Sequence, residues 1–178
     1  EYPNPYIRTK SIAKLMKGRS LDEILGVADK IKMVEDAADV IGQLKKRGYI
    51  CGIISDSYDV VTNHIKNKLR MDFSLANELE FSKSIATGEV KVPSVFLKND
   101  SSKCSHDFCK SNALIQLAEK YNIDLKNTIA VGDSENDICI VEQSGIGISF
   151  CSDNYDLKRV ADLIITERSF AEILEIAY

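Results

Sequence analysis

Asp133, Glu135 and Asp137 crowd the stretch AVGDSENDICI, residues 130–140, at the end of an apolar run. Like charges this close repel one another and resist burial, so a positive partner must stand nearby. Asp133 follows a strand-like run and a glycine, and Asp137 comes one helical turn later, so both carboxylates can face one spot above a sheet end. Hard oxygen ligands used this sparingly suit Mg²⁺, which keeps several waters and takes further oxygens from a substrate phosphate. The expected positive partner is therefore a metal.

Ser55, closing IISDS, adds a hydroxyl at another strand end, and a helix beginning soon after it directs backbone N–H groups toward a ligand. Lys110, opening the helix CKSNALIQL, supplies a compact positive charge. Serine, lysine, helix N-terminus and metal-binding aspartates together describe a phosphoryl site.

The elements that must position these residues show in the periodicity. EDAADVIGQLKKRG places Ala37, Val40, Ile41 and Leu44 on one helical face before Gly48, and the β-branched run YICGIIS follows. Helices are expected at DVVTNHIKNKLR, CKSNALIQLAEKY, DICIVEQSG and SFAEILEIAY, and strands at NTIAVGD, GIGISF and DLIIT. Such alternation is the mark of an α/β fold with a parallel sheet flanked by helices. Residues 1–34 read as a small helical cap, with Ile12, Leu15, Met16, Leu21, Ile24 and Leu25 as its apolar positions, and 35–178 as the core. A hairpin is expected near 76–96, turning at Thr87-Gly88.

Composition narrows the function classes. At 178 residues, 44% hydrophobic and 28% charged, the chain suits one packed domain with a small lobe. A net charge of -4 and a pI near 5.3 argue against nucleic acid as a partner. KKR at 45–47 reads as the cationic last turn of a helix. No apolar stretch approaches the ~20 residues that span a bilayer, so no membrane partner is expected and the cytoplasm is the expected compartment. Five cysteines at irregular spacing suit a reducing interior. Cys104, His106 and Cys109 in KCSHDFCK invite a zinc reading, but no fourth ligand is evident from the sequence, and they read as loop and helix-start residues, with a redox-sensitive thiol as the lesser option. His64 reads as structural, and SGIGIS as a turn into a strand.

The order IISDS, CKSNAL, AVGDSENDICI resembles the second, third and fourth motifs of the haloacid dehalogenase superfamily, in its phosphoserine phosphatase-like branch. LKKRGYICGIIS, ANELEF, TGEVKV and ADLIITERSFAEILE extend the likeness over most of the chain. The resemblance implies a Rossmann-like core with a helical cap, and a magnesium-dependent phosphatase acting on a small phosphorylated metabolite. It implies Ser55 and Lys110 as catalytic residues, one hydrogen-bonding and the other neutralising the phosphoryl group, and Ser55, Asp56 and Asn136 as substrate-binding. Asp133 and Asp137 are implied at the metal, Asp133 as ligand and Asp137 orienting the site.

The family's first motif, Asp-x-Asp-x-Thr/Ser, supplies its nucleophile and does not occur in these 178 residues. The expectation is a chain that begins inside the cap, without the first core strand. Ser55-Asp56-Ser57-Tyr58 stands where the family shows Ser-Gly-Gly-Phe, and Asp56 is expected to turn away from phosphate, as a cap for the following helix. Ile12 stands where the family places an arginine for the phosphoserine carboxylate, which counts against an amino-acid phosphate. A noncatalytic domain binding a phosphorylated ligand or a partner protein, and a phosphotransferase, remain alternatives, and oligomeric state is left open.

Overall fold

The computed structural model describes residues 5–177. In chain order the elements are α1 (Pro5–Leu15), α2 (Leu21–Ala28), α3 (Ala37–Lys46), β1 (Gly52–Tyr58), α4 (Asp59–Lys68), β2 (Phe73–Ser82) and β3 (Ile85–Lys91). There follow α5 (Lys110–Tyr121), β4 (Ile129–Gly132), α6 (Ile138–Gln143), β5 (Ile146–Phe150), α7 (Tyr155–Val160), β6 (Leu163–Ile165) and α8 (Ala171–Ile176). The fold is α/β, with parallel strands flanked by helices. The chain forms two compact units, Glu1–Pro93 with Phe170–Tyr178, and Ser94–Ser169. No described helix is long and apolar enough to cross a membrane.

The first unit is built on the sheet β1-β2-β3, in which β1 runs parallel to β2 and β2 antiparallel to β3. Val40 and Ile41 of α3 are buried as their spacing predicts. The helix ends at Gly48 (φ +91), where Tyr49 N donates to Leu44 O at 3.1 Å and Gly48 N to Lys45 O at 3.0 Å, a Schellman closure. The basic run in its last turn serves the fold. Lys45 Nζ lies 2.7 Å from Asp72 Oδ1, and Arg47 donates to the carbonyls of Leu174 and Ala177 near the end of α8. His64 Nε2 lies 2.8 Å from Asp29 Oδ1, joining α4 to the end of α2.

Two expectations are corrected in this unit. The hairpin turns at Lys83-Ser84, both with positive φ (49° and 64°), four residues before Thr87-Gly88. Positive φ at both central residues fits the right-handed twist of a two-residue hairpin, and a Lys-Ser pair gives no glycine or asparagine signal for it. Gly88 (φ +89) lies within β3, where the register with β2 shifts and a Cβ would meet Lys17 Cβ at 3.1 Å. That close approach governs α1 as well. Ala13 packs with Tyr58, Leu79 and Ala86, whereas Ile12 and Leu15 are 41% and 81% exposed. Small residues face the hairpin because the helix lies close to it, and of the expected trio only Met16 packs against this core.

The second unit is built on the parallel sheet β4-β5-β6. β4 pairs with β5 from Ile129↔Ile146 to Gly132↔Ser149, and α6 packs on both strands. Val141, Ile148, Leu157 and Ile165 are fully buried at its centre. Among the described residues, β1 and β4 each pair with one strand only.

Replacing Ser84 with glycine keeps the turn and removes a left-handed penalty of about 1–2 kcal/mol, against a glycine entropy cost of about 0.5–1 kcal/mol. Urea unfolding of S84G should therefore show a gain of about 0–1.5 kcal/mol, while Gly88→Ala should lose stability.

Candidate active site

Ser55 and Asp56 belong to the first unit and sit in an irregularity of β1. The parallel register runs evenly to Ile54↔Leu75 and resumes at Tyr58↔Asn77, so Ser55, Asp56 and Ser57 oppose Ala76 alone. A bulge frees backbone groups from the ladder, and buried ones need new partners. Asn77, fully buried, supplies them: its Nδ2 donates to Asp56 O at 2.7 Å and to Ser57 O at 3.2 Å. Ser55 Oγ accepts from Ser57 N at 3.0 Å, closing a tight turn around the hydroxyl. Tyr58, not Asp56, is the N-cap of α4, and the Asp59 carboxylate accepts from Val60 N at 2.9 Å and Leu79 N at 3.1 Å.

Lys110, Asp133, Asn136 and Asp137 belong to the second unit. Lys110 is the first residue of α5, and its Nζ donates to Asp137 Oδ1 at 2.7 Å, with side chains only 12% and 8% exposed. The other carboxylate oxygen, Oδ2, accepts from Asp133 N at 3.0 Å, Ser134 N at 3.1 Å and Ser134 Oγ at 3.2 Å. One side chain thus holds the turn after β4 and the lysine together. Gly132 makes this possible, because a Cβ there would stand 2.3 Å from Asp137 Cβ. Ser152 Oγ, from beyond β5, donates to Asp133 O at 2.6 Å and fixes the turn from the far side.

The positive partner expected of the acidic cluster is, for Asp137, a lysine. Burial would raise the Asp137 carboxyl, but the Lys110 charge and hydrogen bond, with the Asp133 and Ser134 N–H groups, outweigh it and hold it below its ordinary 3.8. Asp133 is in the opposite position. Partial burial and then the Asp137 charge push its carboxyl above 3.8, with Lys110 only partly opposing them. Its side chain lies at the surface, as does Glu135, and Asn136 is half-buried on the 3₁₀ turn Glu135–Asp137. A hard carboxylate short of positive charge suits Mg²⁺, so Asp133 is the residue of this turn that could hold such an ion, while Asp137 is occupied in holding the loop.

Two supports escape the motif reading. Asn77 falls in phase with Leu75, Leu79 and Phe81 in an alternating strand, and a polar residue on the apolar phase is the signal that marks it. Ser152 lies after β5 with no local signal, since only the packing of two strand ends brings it to Asp133.

Asp137 titrates lower in the folded chain than in the unfolded one. Its stabilisation is complete above the unfolded value near 3.8 and is lost as pH falls through the lower folded value. Asp137→Asn should therefore lose about 3–5 kcal/mol near neutral pH, as expected when a buried ion pair loses one member, and should flatten the acid limb of stability against pH. Urea unfolding across the acid range measures both.

Residues 96–172 match the model of the haloacid dehalogenase-like hydrolases, a span that includes Lys110, Asp133 and Asp137. The chain is 33% identical over 161 residues to a phosphoserine phosphatase of Methanocaldococcus jannaschii, covering 90% of this chain and 71% of that one. It is 29% identical to a phosphoserine phosphatase of Archaeoglobus fulgidus, covering 92% of this chain and 44% of that one. A solved phosphoserine phosphatase structure with a phospho-aspartyl intermediate analogue superposes with a TM-score of 0.79 at 31% identity, covering 95% of this chain and 76% of that one. The chain belongs to the haloacid dehalogenase superfamily of hydrolases, in its phosphoserine phosphatase-like branch.

Proposed function

We propose that this chain carries the phosphoryl-binding and metal-holding part of a magnesium-dependent phosphomonoester hydrolase acting on a small phosphorylated metabolite. The observation that carries it is the turn after β4, where Asp137 holds Lys110 and leaves the Asp133 carboxylate at the surface, short of positive charge. Mg²⁺ held by Asp133 would supply Lewis-acid neutralisation of phosphoryl oxygens.

Lys110 contributes a cation that Asp137 keeps in one place, which lowers the reorganisation needed to meet a phosphate dianion. In the first unit, taken by itself, Ser55 offers a hydrogen-bond donor to a phosphoryl oxygen. Its oxygen already accepts from Ser57 N, which leaves the O–H to give. Asn136 serves as a neutral polar contact, and Asp56 fixes the bulge through its carbonyl. Hydrolysis through an aspartyl-phosphate requires a nucleophile outside these 178 residues, because they contain no Asp-x-Asp motif. That same absence favours a second reading, a noncatalytic domain that binds a phosphorylated ligand. A reducing, cytoplasmic setting is part of the proposal, supported by five cysteines without a disulfide.

Mg²⁺ should raise the melting temperature of the wild-type protein and leave that of Asp133→Asn unchanged, and in a full-length protein that supplies the nucleophile Asp133→Asn should abolish magnesium-dependent phosphate release. Phosphate release retained by Asp133→Asn would overturn the assignment of Asp133. Saturable phosphate binding by the full-length protein, with no turnover of any phosphomonoester tried, would favour the binding domain.

A further inference from the structure

The loop between Phe96 and α5 is closed at its base like a knuckle. Leu97 and Phe108 form an isolated antiparallel bridge, Lys98 N donates to Asp107 O at 3.0 Å, and Cys109 N donates to Phe96 O at 2.9 Å. The Phe96 and Phe108 rings pack with centroids 5.1 Å apart beneath it. Cys104 and His106 ride on this loop, and Cys109 is the buried N-cap of α5. The fourth ligand that the local sequence does not show comes from the next helix. Cys139, the second residue of α6, places its Sγ 3.4 Å from His106 Nδ1.

One ligand atom from each of Cys104, His106, Cys109 and Cys139 lies within 4.8 Å of all the others. A tetrahedron with sulfur about 2.3 Å from its centre has edges of about 3.8 Å, so closing on an ion asks only small side-chain movements. A buried hydroxyl already serves the thiols. Ser111 Oγ is fully buried, donates to Cys109 Sγ at 3.2 Å and lies 3.7 Å from Cys104 Sγ. Such a donor is what a metal-bound thiolate needs to hold its orientation and disperse its charge.

We propose that Cys104, His106, Cys109 and Cys139 form a structural zinc site. Three thiolates and one imidazole select a borderline-soft tetrahedral ion over Mg²⁺, and four protein ligands leave no open position for catalysis. Binding releases the thiol protons and leaves a centre of net charge −1. The site ties the loop and the start of α5 to the start of α6. Cys109 precedes Lys110, and Cys139 lies two residues after Asp137, so the metal clamps the two segments that carry the Lys110–Asp137 pair. This site draws on different residues and a different ion from the Asp133 site and stands without the phosphatase reading.

Elemental analysis of the full-length protein, purified reduced and without chelator, should find one zinc per chain that survives dialysis against Mg²⁺. Cobalt added to metal-stripped protein should give the intense thiolate-to-cobalt and tetrahedral ligand-field bands. Cys139→Ser should lose both signals, whereas Cys51→Ser and Cys151→Ser should keep them. Because Cys139→Ser could also unfold α6, Ser111→Ala provides a gentler probe, expected to keep one zinc per chain and weaken its affinity by about 10–100-fold against a competing chelator. Wild-type protein that holds no zinc and shows no cobalt bands, or that carries a disulfide among Cys104, Cys109 and Cys139 when freshly purified, would overturn the site. So would zinc held equally by wild type and Cys139→Ser.

Discussion

A lysine and an aspartate, both nearly removed from water, bind the second unit's functional elements together. Lys110 belongs to α5 and Asp137 to the turn between β4 and α6, and their 2.7 Å contact joins the two. Charges taken from water at this cost are kept only when every donor and acceptor is well placed. The Asp137 carboxylate meets that demand with three further donors from Asp133 and Ser134. Asp133 is therefore presented by a turn that Asp137 holds, and Lys110 offsets its charge only in part.

The first unit presents Ser55 by a different device. Its strand end is shaped by a bulge whose freed carbonyls are caught by one buried amide, that of Asn77. Both devices use buried polar groups to set a candidate site residue, half-buried Ser55 in one unit and exposed Asp133 in the other. The cost of each is the loss of an apolar side chain from a core position, and in each case a hydrogen-bond network replaces it. Asn77 Oδ1 has no hydrogen-bond partner among the described residues.

Much of this was legible in the sequence. Alternating helix and strand patterns gave the fold class, and Gly132 between a strand and Asp133 gave the turn, because only a residue without a Cβ allows Asp137 so near. The Lys110 partner of Asp137 is not legible locally, since the two are 27 positions apart and only packing pairs them. On α1, apolar periodicity cannot tell which face lies near a hairpin, and closeness there favours Ala13 over Leu15. Glycine marks a bulge in β3, whereas the hairpin turn itself is made by Lys83 and Ser84, which carry no turn signal. Cys139 went unmatched to KCSHDFCK for the same reason as Lys110: its neighbours are set by how α5 lies on α6.

The most direct measurement is a crystal structure of the full-length protein with Mn²⁺ in place of Mg²⁺, read by anomalous diffraction. The predicted result is one strong peak about 2.1 Å from an Asp133 carboxylate oxygen, with Lys110 Nζ still on Asp137 Oδ1. A peak on Asp137 with Lys110 displaced, or no peak at Asp133 at saturating Mn²⁺, would contradict it.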